Sequence, residues 1–306
     1  MKPQIIMRYS IRDIEKLTQI KAHTLRIWEQ RYGFLVPYRT DTNIRYYDDE
    51  QLKLLLNIAS ILKNGSKISH VARMSPDDIA VEVRRLTEST GELDVFCELK
   101  IDALLMSMID LDELHFEKII ADCNMRMGFE QSMARVIIPF LKKVGILWSV
   151  GDINVAQEHF ISNLIRRKLL VAIDMLPLVR DPQQDRYLLY LPDGELHEIG
   201  LLFAKYVIKS RKKNTIYLGQ SVPFQDLRLM VEKYEPHYLI TYFTSGMSAN
   251  VLQNYLNRLG DTPLAERRVL VAGPLMGNPR LVFPPNVRYL REITDLIQLV
   301  ASGGVL

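Results

Sequence analysis

Nine consecutive residues hold the clearest chemical potential of this chain: Pro192-Asp193-Gly194-Glu195-Leu196-His197-Glu198-Ile199-Gly200. An imidazole such as His197 can donate one ring nitrogen to a metal. Glu195, two residues earlier, is spaced to hold the other nitrogen. Arg186 to Leu191, before the stretch, is apolar and β-prone; Leu201 to Lys209, after it, is apolar at helical spacing. Pro and Gly punctuate the change, so the stretch reads as a strand-to-helix turn. In an open α/β sheet such a turn lies outside the carboxyl end of a strand, where ligands bind. A solvated loop with a chance histidine is the alternative, and the loop alone leaves both open.

Two further sets carry chemistry. Trp148 ends one helical pattern, and Glu158-His159 lie one turn into the next. Across a short helical hairpin they would converge on one mouth of a bundle, although such a Trp is more often core and such a Glu-His pair more often surface. The third set is basic and aromatic: Thr24, Arg26 and Arg31 on a short helix, then Arg39, Arg45, Tyr46 and Tyr47 around a hairpin tip. These residue types suit a DNA backbone, with Arg26, Arg45 and Tyr47 the leading contacts, mostly to phosphate. Trp28 fits core packing better than a base contact, and Arg31 has the plainer reading of a partner for Glu29.

The elements that must position these groups follow from pattern. Ser10 caps a helix to Thr18 with Ile11, Ile14 and Leu17 inward. After a brief turn, a second helix spans Ala22 to Arg31 with Leu25 and Trp28 buried, which makes a helix-turn-helix. Tyr38 to Tyr47, with Asp41-Thr42-Asn43 at its tip, reads as a wing. Asp48 caps a long helix closed by Gly65, and Lys67 to Met74 forms a short one. Ser75-Pro76 starts a connector helix to Leu86, and Thr87-Glu88-Ser89-Thr90-Gly91 reads as a linker. Four helices follow near 92–109, 112–127, 130–148 and 153–175, with Asp112 as a start, Gly128 as a stop, Gly151-Asp152 as the last turn and Pro139 as a kink. Strands at 186–191, 215–218, 238–243, 269–272 and 287–290 alternate with helices at 198–211, 224–234, 246–259 and 291–301. That alternation predicts a doubly wound, flavodoxin-like (Rossmann-like) parallel sheet. The fold class expected is therefore multidomain, α and α/β: residues 1–75 a winged helix-turn-helix, 76–91 a connector, 92–180 a four-helix bundle, and 181–306 the sheet domain.

Composition sets bounds. The chain has 306 residues, 48% hydrophobic and 25% charged, which is ordinary for a globular protein. Two cysteines, Cys97 and Cys123, make no disulfide framework and fit small buried residues in a reducing cytoplasm. The N-terminus lacks a signal-peptide pattern, and no apolar run is long enough to span a bilayer. Net charge is +3, yet residues 1–75 hold 13 Lys and Arg against 7 Asp and Glu, leaving the remainder at −3. A basic module on a mildly acidic body is the pattern of a DNA-binding head fused to something else.

At RIWEQRYGFLVPYRTDTNIRYY followed by DDEQLKLLLNIASIL the chain resembles the MerR family of transcription regulators over roughly residues 6–75. The matching positions are Arg26, Trp28, Gly33, Phe34, Leu35, Pro37, Arg45 and Tyr47, and the resemblance implies a dimer across a pseudo-palindromic operator. Glu195-x-His197-x-x-Gly200 is similar to the Asp-x-His-x-x-Gly signature of cobalamin-binding domains. There the His replaces the cofactor's own base as lower axial ligand of cobalt. The family's later Ser-x-Leu and Gly-Gly spacings lead here to Tyr242-Phe243-Thr244 and to Ala272-Gly273. Trp148 to Glu158-His159 has the Trp-x9-Glu-His spacing of the helical cap in the light-responsive CarH/LitR type, where these residues cover the upper face of the cofactor. The likeness spans nearly the whole chain.

Four departures stand out. Glu195 adds a methylene to the family's Asp. Tyr242 replaces a Ser that lines the channel for the displaced nucleotide tail, and its bulk narrows that channel. Ala272 replaces a Gly. Ser149 follows Trp148 where some light-sensing relatives have a His able to take the cobalt after photolysis, so permanent bis-histidine capture is not expected.

The resemblance implies a cytoplasmic, non-enzymatic regulator that binds double-stranded operator DNA and a cobalamin, adenosylcobalamin foremost, as a homo-oligomer, dimer or tetramer, with no membrane partner. Metal ligation falls to His197 and cofactor contact to Trp148, Glu158, His159, Glu195, Gly200, Tyr242, Thr244, Ala272 and Gly273. Two alternatives are a degenerate regulator that keeps the fold without cobalamin, and a corrinoid-carrying module of a methyltransferase or mutase.

Overall fold

Ser10 accepts from the Asp13 backbone N–H at 3.3 Å while the Asp13 carboxylate accepts from the Ser10 N–H at 2.7 Å. This capping box starts the first helix where the sequence places it. The computed structural model describes residues 8–89, 92–149, 154–178, 181, 183–244 and 247–302. Thr90-Gly91 of the expected linker and Gly151-Asp152 of the last bundle turn lie outside the described residues.

Strand β1 (Tyr9–Ser10) precedes α1 (Ile11–Thr18) and α2 (Ala22–Tyr32), and β2 (Tyr38–Arg39) and β3 (Arg45–Tyr47) form the hairpin. The wing is a three-stranded antiparallel sheet in the order β1-β3-β2, so the sequence reading missed its first strand. Asp48 caps α3 (Asp49–Lys63), again with a capping box. Helices α4 (Ile68–Val71) and α5 (Pro76–Ser89) follow. Helix α5 runs on through Thr87–Ser89, which pattern alone assigns to a linker.

Next come α6 (Leu93–Asp110) and α7 (Glu113–Ser132). Gly128 interrupts α7 with φ +77°, a value glycine adopts at little cost. The kink expected at Pro139 takes the form of a π turn over Met133–Ile137, just before α8 (Ile138–Ser149). A proline removes one helical N–H and crowds the carbonyl four residues back, and a widened turn relieves both. Asn154 caps α9 (Val155–Asp174), accepting from the Ala156 N–H at 2.9 Å.

The chain divides into two compact units, 1–162 and 163–306, and the division falls inside α9. Within the first unit the helix-turn-helix and the bundle touch. Asp102 of α6 is buried, and accepts from Ser60 of α3 at 3.2 Å and from Lys143 of α8 at 2.7 Å. Lys63 of α3 pairs with Glu98 of α6 at 2.9 Å, and Lys53 pairs with Asp110. Asp102→Ala takes the carboxylate from a partly buried Lys143 ammonium, while the Ser60 hydroxyl keeps the Leu56 carbonyl, so it is expected to cost about 1–2 kcal/mol in denaturant unfolding, whereas Glu98→Ala at the solvated rim should cost under about 1 kcal/mol.

The second unit begins with the end of α9. It continues through β4 (Arg186–Pro192), α10 (Ile199–Ser210), β5 (Asn214–Val222), α11 (Phe224–Tyr234), β6 (Tyr238–Tyr242), α12 (Ala249–Leu259), β7 (Arg268–Ala272), β8 (Val287–Tyr289) and α13 (Ile293–Ala301). All five strands are parallel, in the order β5-β4-β6-β7-β8. Residues 187–191 of β4 are fully buried, as a central strand covered on both faces requires. Leu188, Leu239, Val269 and Val271 pack with Leu227 and Val231 of α11 and Leu252 and Leu256 of α12. Side chains alternate across a strand, so Tyr242 and Ala272 face the opposite side, where α10 lies. Chain order reverses about β4: one crossover runs to β5 and the next returns to β6 on the other flank. The crevice at that switch point lies between the loops after β4 and β6.

Candidate functional site

The loop after β4 is held on three sides. Ser221 at the end of β5 donates its N–H to the Glu195 carbonyl at 3.2 Å, its Oγ lies 3.0 Å from Asp193 Oδ1, and Gly194 N–H donates to that Oγ at 3.0 Å. Gln220 donates to the Leu196 carbonyl at 2.8 Å. Glu198 is buried and accepts from Arg166 at 2.5 Å and from the Tyr217 hydroxyl at 2.7 Å. Burial, and then the Glu198 carboxylate beside it, push the Tyr217 phenol well above its ordinary range, so it remains a donor.

Within this frame Glu195 is 4% exposed. One of its oxygens lies 2.6 Å from His197 Nδ1 and accepts the His197 N–H at 3.0 Å; the other accepts the Thr244 N–H, from the loop after β6, at 2.8 Å. A carboxylate accepts, so Nδ1 carries the proton and Nε2 carries the lone pair. The chain Thr244–Glu195–His197 therefore bridges the switch point and presents an oriented imidazole whose side chain is 56% exposed. This is the backing that a metal-ligating histidine needs. Among the described residues no three His, Cys, Asp or Glu side chains converge as a metal cage. A lone, carboxylate-backed imidazole fits a metal that would bring its other ligands with it, as a corrinoid cobalt would.

Gly200, Tyr242, Ala272 and Gly273 also come together. Tyr242 and Ala272 are paired in register across β6 and β7. A Cβ on Gly200 would lie 2.6 Å from the Tyr242 ring, which therefore rests on the Gly200 backbone. Gly273 has φ +106°, and a Cβ there would lie 2.4 Å from the Phe243 carbonyl oxygen. Gly273→Ala is expected to destabilise the domain by about 2 kcal/mol or more in denaturant unfolding, because backbone rather than a movable side chain stands in the way.

Glu158 and His159 sit in the first turns of α9, Glu158 Oε2 lying 3.6 Å from His159 Nε2; the His159 side chain is 67% exposed. Trp148 lies in the last turn of α8, and its side chain is outside the described residues, as is that of Ser149. His197 belongs to the second unit, and the Glu-His pair to the first.

On α2 the exposed residues are His23, Arg26, Ile27, Gln30 and Arg31, a single stripe opposite buried Leu25 and Trp28. Thr24 is half-buried at its edge. Arg31 lies over the Tyr32 ring, Arg39 donates to Asn43 across the hairpin at 2.7 Å, and Tyr46 stacks on Tyr38 at 5.5 Å between centroids. Tyr47 requires a correction. It is 0% exposed, and its hydroxyl donates to Glu29 Oε1 at 2.5 Å, so it cannot reach a nucleic acid and supports the wing from behind. Arg45, half-buried, donates to the other Glu29 oxygen at 3.1 Å. Glu29 thus clamps wing to recognition helix, a role its own sequence position does not announce.

Residues 9–77 match the family model described as MerR HTH family regulatory protein, and residues 100–172, from α6 into α9, match the one described as B12 binding domain. The chain carries a MerR-type HTH domain and a B12-binding domain. It is 27% identical to the HTH-type transcriptional repressor CarH of Myxococcus xanthus over 82% of this chain and 84% of that protein. It is 26% identical to the HTH-type transcriptional repressor CarA of the same organism over 96% of each. Among solved structures, the monomethylamine corrinoid protein of Methanosarcina barkeri shares the fold at 10% identity and a TM-score of 0.51, covering 64% of this chain and 94% of that one. Among the described residues no helix is long and apolar enough to cross a membrane.

Beside the MerR head and the B12-binding region, three groups escaped sequence reasoning: the Glu29 clamp, the Ser221–Gln220 buttress and the Arg166–Glu198–Tyr217 set. Only Glu198, inside the nine-residue stretch, carried a signal that could have pointed to them. Cys97 and Cys123 are buried free thiols; burial pushes the Cys123 thiol up to about 12, so neither is poised for chemistry.

Proposed function

We propose that this chain is a cytoplasmic DNA-binding repressor whose operator affinity is set by a cobalamin, adenosylcobalamin foremost. The observation that carries the reading is the Thr244–Glu195–His197 relay across the switch point. His197 would ligate cobalt through Nε2, with Glu195 fixing the ring. Trp148, Glu158 and His159 would cover the upper side. An adenosyl–cobalt bond supplies light sensitivity when the cofactor is bound. Arg26, Arg31 and Arg39 would meet operator phosphates, with Arg45 held at the wing by Glu29. The buried Asp102 contact with Ser60 gives the bundle a direct grip on the head, so a change in bundle packing has a route to the recognition helix. A homo-oligomer, dimer or tetramer, would set how many heads engage adjacent half-sites, and bivalency changes apparent affinity by orders of magnitude.

One observation favours a second reading, a regulator that keeps this fold without cobalamin: the Tyr242 ring occupies the space above Gly200. The test is uptake of adenosylcobalamin in the dark, followed by desalting, an absorption spectrum, and size-exclusion chromatography before and after illumination. Retained corrinoid with a mass change on illumination supports the first reading with light as its signal. Retention without a mass change supports a cobalamin sensor that is not light-driven, and no retention supports the second reading.

A further inference from the structure

His197 and the gap between α10 and β6 differ sharply in the room they leave for a ligand. His197 is exposed and oriented, as a ligand should be. The gap between the start of α10, three residues on, and the end of β6 is filled. Gly200 presents a bare Cα, and the Tyr242 ring lies so close that even a methyl there would stand 2.6 and 2.7 Å from two ring carbons. Part of Tyr242 reaches solvent, but its phenol is deep enough that burial raises its titration. Buried Ala272, beside it in register, adds a methyl group to the same face. Ser221 and Gln220 tie the loop that leads into α10 to the end of β5, which opposes widening of the gap.

We propose that this site selects a corrinoid without its nucleotide arm, a cobinamide, over complete cobalamin. The inference rests on the corrinoid reading above and puts a cobinamide in place of adenosylcobalamin as its preferred ligand. A complete cobalamin carries its own nitrogenous base on a tether. When His197 takes the cobalt, that base must go elsewhere, and the channel that the resemblance to cobalamin-binding domains implies for it is the one that Tyr242, packed on Gly200, narrows. The unsequestered base then competes with His197 at the high effective concentration of a tethered group. A cobinamide brings no such competitor and needs no such channel.

The test is equilibrium titration of the full-length chain with adenosylcobinamide and with adenosylcobalamin in the dark, read by the visible spectrum. The wild-type chain is expected to bind cobinamide at least about tenfold more tightly. Tyr242→Ser should bring the two affinities within about threefold by tightening cobalamin alone, and Tyr242→Phe, which keeps the ring, should preserve the wild-type preference. Equal wild-type affinities, or tighter cobalamin, overturn the proposal while leaving the corrinoid reading intact. The wild-type ratio decides this even if Tyr242→Ser fails to fold. A ratio unchanged by a folded Tyr242→Ser overturns the role of Tyr242. No binding of either corrinoid by the wild type and by the folded Ser variant removes both the proposal and the reading beneath it.

Discussion

His197→Ala is expected to abolish histidine ligation of cobalt and to weaken corrinoid retention by about a hundredfold or more. The fold should change little, because the imidazole side chain is 56% exposed. Glu195→Gln should fall between the two. A neutral amide can still meet Nδ1, but it no longer supports a more basic imidazole, and loss of such a supporting group costs about 10–100-fold in metal affinity. Absorption spectra after desalting read the first quantity and thermal unfolding the second. A His197→Ala protein that keeps the wild-type corrinoid spectrum would return the loop to its other reading, a solvated turn with a chance histidine.

Glu29→Ala should be the most damaging single change in the head that leaves every exposed cation in place. It strips the partner from a fully buried Tyr47 hydroxyl and releases Arg45 at once. An unpaired buried hydroxyl and a lost charge-assisted bond together cost about 2–3 kcal/mol. DNA affinity should fall at least about tenfold, with little change in the salt slope, because the wing loses its angle rather than its charges. The companion Glu29→Ala/Tyr47→Phe should recover part of the stability by removing the orphaned hydroxyl, while DNA binding stays impaired. Urea unfolding and fluorescence anisotropy on one labelled duplex separate the two effects. By contrast, Arg26→Ala should leave stability within about 0.5 kcal/mol and reduce the salt slope by about one.

The elements were legible because their periods are clean. The five strand positions follow from short apolar runs between Gly, Pro and Asn signals, and the bundle from sustained helical spacing. Glu195 and His197 could be paired from spacing alone, since a two-residue interval within one turn leaves little freedom. What pattern could not show depends on partners distant in the chain. Tyr47 looks like a wing contact until the fold sets it against Glu29, 18 residues earlier. Thr244 enters the site through its backbone N–H, which no side-chain identity encodes. Strand β1 is two residues long and has no period to read. The contact of Tyr242 with Gly200 needs both the strand register and the helix start, although the presence of a bulky residue at 242 was visible. The π turn before Pro139 illustrates a local rule that predicts a distortion without its form.

Corrinoid binding and operator binding are expected to be coupled. The most direct test of that coupling uses a duplex selected from a random library by the chain itself. Its affinity is measured by anisotropy in the dark, with and without saturating adenosylcobalamin. Cobalamin affinity is then measured with and without saturating duplex. Linkage requires the two ratios to be equal, and a switch of useful size needs about 5-fold or more. The expected result is a common factor of that size, lost in His197→Ala. Duplex affinity identical with and without bound cobalamin would contradict that coupling, whatever the strength of either interaction alone.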